Sequence, residues 1–293
     1  MRIGTNVSAM NAIESGSANN KLLTSSLEKL SSGLAINKAS DDASGMAIAD
    51  KLRTQKSSLV QSVDNGNSAV ALIQIADRAM SEQSNILNIV KTKLLQAATE
   101  TTSGNGRESL AKDINKLLTQ LDTIAQQTNY NGISLLQESG LSQDKAGILT
   151  FQIGENSTDT IQTSKDIQSN TKGLGKGISA FRTLETLLNN TSGDGSNLTI
   201  LKSTEYLAVA DKALTDLNTM RSDFGSVQNQ IESSLRNLTT ATTNIAAAES
   251  VIRDVDFAKE SANFNRLSII GNGSNYALSQ ANMRPNDMLK LLQ

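Results

Sequence analysis

The 293-residue sequence has no cysteine, no histidine and no tryptophan, a single proline (Pro285), and aromatic residues at only 3%. Without Cys or His there is no thiol nucleophile, no imidazole base and none of the usual ligands for zinc, iron or copper. Carboxylate and lysine chemistry stays open, so enzymatic function is disfavoured without being excluded. A chain free of Cys suits passage into an oxidising space without disulfides, although cytosolic proteins lack them too. There is no apolar run of about 18 residues, so no membrane-inserted helix is expected. The first turns of the chain, Met1 to Ser17, lack the apolar stretch of a secretory signal. The net charge is -2 with the signs interspersed, which offers neither a groove for nucleic acid nor a patch for an anionic membrane. The expectation is no catalytic residue, no cofactor and no metal.

What the chain does have is apolar periodicity. Leu217, Phe224, Ile231, Leu238, Ile245 and Ile252 recur every seventh residue, followed three positions later by Met220, Val227, Ser234, Ala241, Ala248 and Val255. That is the seam of a coiled coil, and it predicts one helix from Tyr206 to Val255, roughly 70 Å long. Only Gly225 interrupts its helix-forming composition. A second seam, Ile73, Met80, Leu87 and Leu94, predicts a long helix over 43–99. A turn at Ser103-Gly104-Asn105-Gly106 leads to a third helix with Leu110, Ile114, Leu117, Leu121 and Ile124, fading at Thr128 to Gly132.

At the N-terminus Ile3, Val7, Met10, Ile13, Leu27 and Leu30 form the stripe of an amphipathic helix, with Gly33 as its C-cap and Ser40 or Asp41 capping the next helix. Asp41 and Asp42 could be read as an acid/base or metal pair, but no third ligand stands near them. Between 133 and 204 the helical period fails. Ile148 to Ile153 and Thr160 to Thr163 flank Gly154 to Ser157 as a β-hairpin. Gly173, Gly175 and Gly177 lack the strand before and the acidic residue after that a dinucleotide loop needs, and read as a flexible connection. A short helix is expected over 178–188 and a polar loop over 189–197. The C-terminal stripe holds Tyr276, Leu278, Met283, Met288, Leu289 and Leu292. It is expected to be interrupted at Gly271-Asn272-Gly273 and again at Pro285, because an interior proline costs a helix about 3 kcal/mol.

The fold class is mainly α: a long antiparallel coiled-coil bundle with a small β-hairpin region. The chain divides as 1–40, 41–138, 139–204, 205–255 and 256–293, with weak amphipathic helices at both ends. Such ends need cover. Either they pack on each other within one chain, or identical helices from neighbouring chains bury them in a repeating assembly.

Several of these stretches resemble bacterial flagellin. Ser31 to Asn37 followed by Asp41 to Ala49 is similar to that family's N-terminal signature, and Asn6 to Asn11 to its beginning. Gln127 to Gly132, Phe151 to Gly154, Ala246 to Asp256, Tyr276 to Asn282 and Leu289 to Gln293 resemble its later motifs. The resemblance implies a subunit that is exported unfolded and polymerises into the filament used for swimming. Its two terminal helices would form the filament core. The implied partners are many copies of itself, the flagellar export apparatus, an export chaperone, and junction and cap proteins. It also implies an extracellular place without a cleaved signal peptide, and O-linked sugars with Thr191, Ser192 and Ser196 as candidate positions. The closest rivals are a hook–filament junction protein and a helical extracellular adhesin. Two departures stand out. Met283-Arg284-Pro285-Asn286 replaces a continuous polar helix. Ile89, Lys91 and Lys93 stand where many flagellins carry the Arg-rich patch read by the innate flagellin receptor, resembling instead the short, receptor-evading, campylobacter-type subgroup. Weak activation of that receptor is expected. A full response in a cell reporter assay at ordinary agonist doses would contradict it.

Overall fold

Five helices and two short hairpins order the described residues of the computed structural model, which are 6–137, 148–163, 167–171, 173–174 and 200–291, the last eight and 200–202 by backbone only. Helix α1 spans Val7–Ser32. It starts on Asn6, whose side-chain oxygen accepts the Ala9 N–H at 3.1 Å, and stops at Gly33, which adopts the left-handed φ of 74° that glycine tolerates best. Helix α2 spans Ala43–Ala97. Its cap is neither Ser40 nor Asp41 but Asp42, whose Oδ1 accepts from the Ser44 and Gly45 amides at 3.0 and 2.9 Å. Asp41 instead ties down the preceding connector, accepting from the Lys38 and Asn37 amides, and these two bonds hold its carboxyl below the usual range. Ile36 seats on the bare backbone of Gly45, where a Cβ would stand 2.7 Å from Ile36 Cδ1.

Helix α3 spans Gly104–Gln127, with Ser103 as its N-cap. The expected turn at 103–106 therefore lies one step too late: Gly104 and Gly106 belong to the first helical turn, where the Ser103 hydroxyl accepts the Gly106 amide, and the chain reverses before it. Where the helix was expected only to fade, β1 (Asn129–Tyr130) and β2 (Ile133–Ser134) pair around Asn131 (φ 50°) and Gly132 (φ 81°). Positive φ at both central residues makes this a type I′ turn, the turn that matches strand twist. The second hairpin is the expected one: β3 (Thr150–Gln152) pairs with β4 (Thr160–Gln162), Phe151 opposite Ile161. The glycine run is less loose than expected at its start. Gly173 is buried, its amide donates to the Asn170 carbonyl, and a Cβ there would lie 2.2 Å from the Gln168 carbonyl oxygen. The helix expected over 178–188 and the loop over 189–197 lie outside the described residues.

Helix α4 spans Ile200–Arg253 and α5 spans Phe257–Leu291. Neither expected interruption of α5 occurs. A glycine costs a helix about 1 kcal/mol, and at Gly271 packing outweighs it: the bare backbone lets Asn19 of α1 approach so closely that a Cβ would meet its Nδ2 at 3.1 Å. Pro285 removes one backbone donor, but the helix continues through it to Leu291. Loss of a single bond bends a helix as readily as it ends one.

The chain forms two compact units, 1–57 with 241–293, and 58–240. In the second, Ile73, Met80, Leu87 and Leu94 of α2, Ile114, Leu118 and Leu121 of α3, and Leu217, Phe224 and Ile231 of α4 share one buried apolar cluster. Helices α2 and α4 run antiparallel there, joined by Arg221 to Asp77 (2.8 Å) and Lys91 to Asp211 (2.5 Å), while Lys93 of α2 pairs with Asp113 of α3 (2.8 Å).

Gly225 lies exposed in the interior of α4, and beyond its chain neighbours and its own helix backbone no atom lies within 4 Å of where a Cβ would stand. Gly225→Ala should stabilise the subunit by about 0.5–1 kcal/mol through reduced backbone entropy in the unfolded chain. The readout is a higher urea midpoint at unchanged slope. An unmoved or lower midpoint would mean that the site is not open.

Candidate assembly surface

The first unit is built on a short crossing of two connectors. The Ala35 amide donates to the Arg253 carbonyl (2.6 Å) and the Val255 amide to the Gly33 carbonyl (3.0 Å), forming an antiparallel bridge at Leu34 and Asp254. From this crossing α1 and α5 run side by side in opposite directions. Three side chains pin their register: Ser26 donates to Glu260, Asn19 Nδ2 to the Leu267 carbonyl (3.0 Å), and Asn6 Nδ2 to the Ala281 carbonyl (2.8 Å). Among the described residues, those buried along the contact are small or polar, namely Ala9, Asn19, Ser26 and Ala281, with Leu267 the one large side chain. The three hydrogen bonds add about 1 kcal/mol each net.

The large apolar side chains point elsewhere. Val7, Met10 and Ile13 are 61%, 61% and 56% exposed, and Leu22 and Leu27 are exposed with them. On α5, Ile269 is 72% and Tyr276 75% exposed, alongside Phe257, Ile270 and Met283. Burying one such side chain is worth about 1.5–3 kcal/mol, and in the lone chain that stabilisation is not realised. Of the residues expected to carry assembly, Val7, Met10, Ile13, Leu27 and Met283 are exposed, and Leu30 and Leu278 are half-buried. Ile3 and Leu292 lie outside the described residues, and Leu289 is described by backbone only. Phe257, Ile269 and Ile270 are additions to the sequence reading. Ile269-Ile270 was hidden by splitting the helix at the adjacent glycine.

The rod seam sorts by unit. Ile73, Met80, Leu87, Leu94, Leu217, Phe224 and Ile231 are buried, Leu238 is half-buried, and in the first unit Ile245 and Ile252 are half-buried. At the receptor-patch positions Ile89 is exposed, while Lys91 and Lys93 are engaged in the ion pairs with Asp211 and Asp113. Lys93 holds the exposed Asp113 carboxyl below its usual range. Thr191, Ser192 and Ser196 lie outside the described residues. A groove of roughly 730 Å³ runs between Gly16, Asn20 and Thr24 of α1, Lys38 and Asp41 of the connector, and Ser274 and Leu278 of α5. Among the described residues no cluster of acidic side chains could hold a metal ion, and no helix is long and apolar enough to cross a membrane.

Comparison with known proteins gives a consistent result. The model of the bacterial flagellin N-terminal helical region matches residues 3–140, and that of the C-terminal helical region matches 207–292. Flagellin of Bacillus subtilis (strain 168) is 33% identical over 305 residues, spanning 100% of both chains. Flagellin B of Helicobacter pylori (strain J99) is 47% identical over 163 residues, which is 56% of this chain and 30% of that one. Among solved structures, a putative flagellar hook-associated protein from Vibrio parahaemolyticus shares the fold, with a TM-score of 0.60 at 11% identity over 73% of this chain and 99% of that one.

Glu260 supplies a pH handle on the α1–α5 contact. Its carboxyl is held below the usual range first by the Ser26 hydroxyl, which outweighs the opposing effect of burial, with smaller contributions in the same downward direction from Asn263, Lys29 and Lys259. A carboxylate whose folded pKa is depressed adds stability that is present in full above its unfolded pKa and lost as pH falls through the folded one. Glu260→Gln, neutral at every pH, should therefore be less stable than the parent at neutral pH, and the difference should shrink in acid. Urea unfolding of both proteins at the two pH values checks this, and a gap that stays constant would refute it.

Proposed function

The chain belongs to the bacterial flagellin family and is a structural subunit of the flagellar filament, and on that premise we propose that the outward faces of α1 and α5 are the surfaces through which successive copies join. The single observation that carries this reading is the inverted sorting of side chains in the first unit. Asn19, Ser26 and Ala9 are spent inside the α1–α5 pair, while Val7, Met10, Ile13, Ile269, Tyr276 and Met283 are left in water. A lone chain gains nothing from that arrangement. A polymer of identical subunits can cover every such face with the same faces of its neighbours.

In this reading residues 1–40 and 256–293 make the filament core, 41–138 and 205–255 the rod, and 139–204 a short insert. The protein reaches the filament, outside the cell, as an unfolded chain without a cleaved signal. An export apparatus and chaperone hand it on, and junction and cap proteins bound the polymer. An apolar Ile89, with Lys91 and Lys93 committed to intramolecular pairs, supports weak engagement of the innate receptor. The likeness to the Vibrio hook-associated protein is one of fold and does not move the function to a junction ring.

Deletion of residues 1–34 tests the proposal. The remaining chain should keep the cooperative unfolding of the second unit, whose buried cluster lies wholly within 58–240, while long filaments disappear from electron micrographs of seeded assembly. Filaments of normal length from this variant would overturn the assignment of the assembly surface.

A further inference from the structure

The sequence holds four Asn-Gly dipeptides, Asn65-Gly66, Asn105-Gly106, Asn131-Gly132 and Asn272-Gly273. In such a pair the backbone nitrogen of the glycine can attack the asparagine side-chain carbonyl carbon, because no side chain shields it. The reaction needs that N–H free of a hydrogen bond and the backbone able to turn towards the side chain. Three of the four pairs fail this requirement. Gly66 lies in the interior of α2 and Gly273 in the interior of α5, where the amide is committed to the helical ladder. The Gly106 amide donates to the Ser103 hydroxyl at 3.2 Å in the first turn of α3. Asn65 is held further, since its side-chain oxygen accepts from Gln61 at 3.1 Å.

Asn131-Gly132 differs in every respect. Both residues are exposed, both have positive φ, and they sit at the tip of the β1–β2 hairpin. In a two-residue turn of this type the ladder bonds belong to the flanking pair, here Tyr130 and Ile133. Among the described residues no hydrogen bond engages the Gly132 N–H or the Asn131 amide.

We propose that Asn131 is a site of spontaneous, self-catalysed deamidation in the folded protein. The Gly132 nitrogen forms a bond to Cγ of Asn131, and the side-chain nitrogen leaves as ammonia with the proton shed by Gly132. Water then opens the five-membered imide at either carbonyl, leaving aspartate or isoaspartate at position 131. No external reagent but water enters. Isoaspartate adds a methylene to the main chain of a turn whose length sets strand register. That turn leads directly into Leu135 and Leu136, both fully buried, and the Leu135 amide donates to the Thr128 carbonyl at 3.2 Å. The modification therefore loosens the junction between α3 and the core of the second unit.

The test is peptide mapping by mass spectrometry of the purified full-length chain after incubation in mildly alkaline buffer, with isoaspartyl methyltransferase labelling, in parallel native and urea-denatured samples. In the native sample conversion should appear at Asn131 and run at least about tenfold slower at Asn65, Asn105 and Asn272, because each of those amides must first be released by local opening. In urea all four should convert at comparable rates, and Asn131→Ser should abolish the native isoaspartyl signal. Native conversion of any helical site as fast as Asn131 would overturn the proposal. So would an inert Asn131 in a native sample whose denatured counterpart reacts.

Discussion

The rest of the second unit depends on the burial of Ile73, Met80, Leu87 and Leu94 of α2 in one cluster with Leu217, Phe224 and Ile231 of α4. A seam repeating every seven residues provides attraction along its whole length, but it is nearly indifferent to a slide of one full repeat, about 10 Å along the axis. Uniqueness has to come from elsewhere. Arg221 with Asp77 and Lys91 with Asp211 match only in the observed register, and Lys93 with Asp113 fixes α3 in the same way. Partly exposed pairs of this kind are worth less than about 1 kcal/mol each. Their role is to separate one alignment from its neighbours, not to hold the helices together. Gly66 adds a steric discriminator: Leu235 approaches α2 so closely that a Cβ at Gly66 would lie 2.5 Å from its Cδ2.

The first unit follows the opposite logic. Its two helices meet through small and polar groups, and the apolar residues that would stabilise them lie in water. Isolated helices are marginal unless an apolar face is packed, so the stability of α1 and α5 is conditional on what covers them. For a subunit of a polymer this is useful. Anything that binds only the ordered form stabilises it by mass action, so the proposed contacts with other copies would complete the structure that the single chain leaves unfinished. The connector crossing at Leu34 and Asp254 keeps the two ends aligned while that cover is absent.

The seams were legible because a sevenfold recurrence repeats the same signal many times, and so the long helices and their relative order followed from the sequence. The β3–β4 hairpin was legible from alternating residues about a polar turn. Signals carried by one or two residues fared worse. The cap of α2 moved by one position within Ser40-Asp41-Asp42, and the β1–β2 hairpin was passed over even though Asn131-Gly132 between Tyr130 and Ile133 is a strong two-residue turn signal. The continuity of α5 was missed for a different reason: glycine and proline propensities are local, whereas the close fit of Asn19 against Gly271 is made by residues far apart in the chain. Least legible was which face of α1 is spent inside the chain. Asn19 and Ser26 look like solvent-facing residues in sequence and are buried, whereas Met10 and Ile13 look like core and are exposed. Only the partner helix decides between those readings.

The inversion also bears on how a polymer of such subunits can bend without coming apart. Hydrogen bonds from Asn6, Asn19 and Ser26 to fixed acceptors on α5 are directional, and a slide of one residue breaks all of them together. The apolar contacts proposed between copies are not directional, and their strength follows the area removed from water more than the exact alignment. Directional contacts thus lie within the α1–α5 pair and, in the proposed assembly, non-directional ones lie between copies. On the proposed assembly surface, contacts of this second kind tolerate more than one arrangement. The reverse distribution, with apolar residues inside the pair and asparagines outside, would give a more stable monomer and a polymer locked into one geometry.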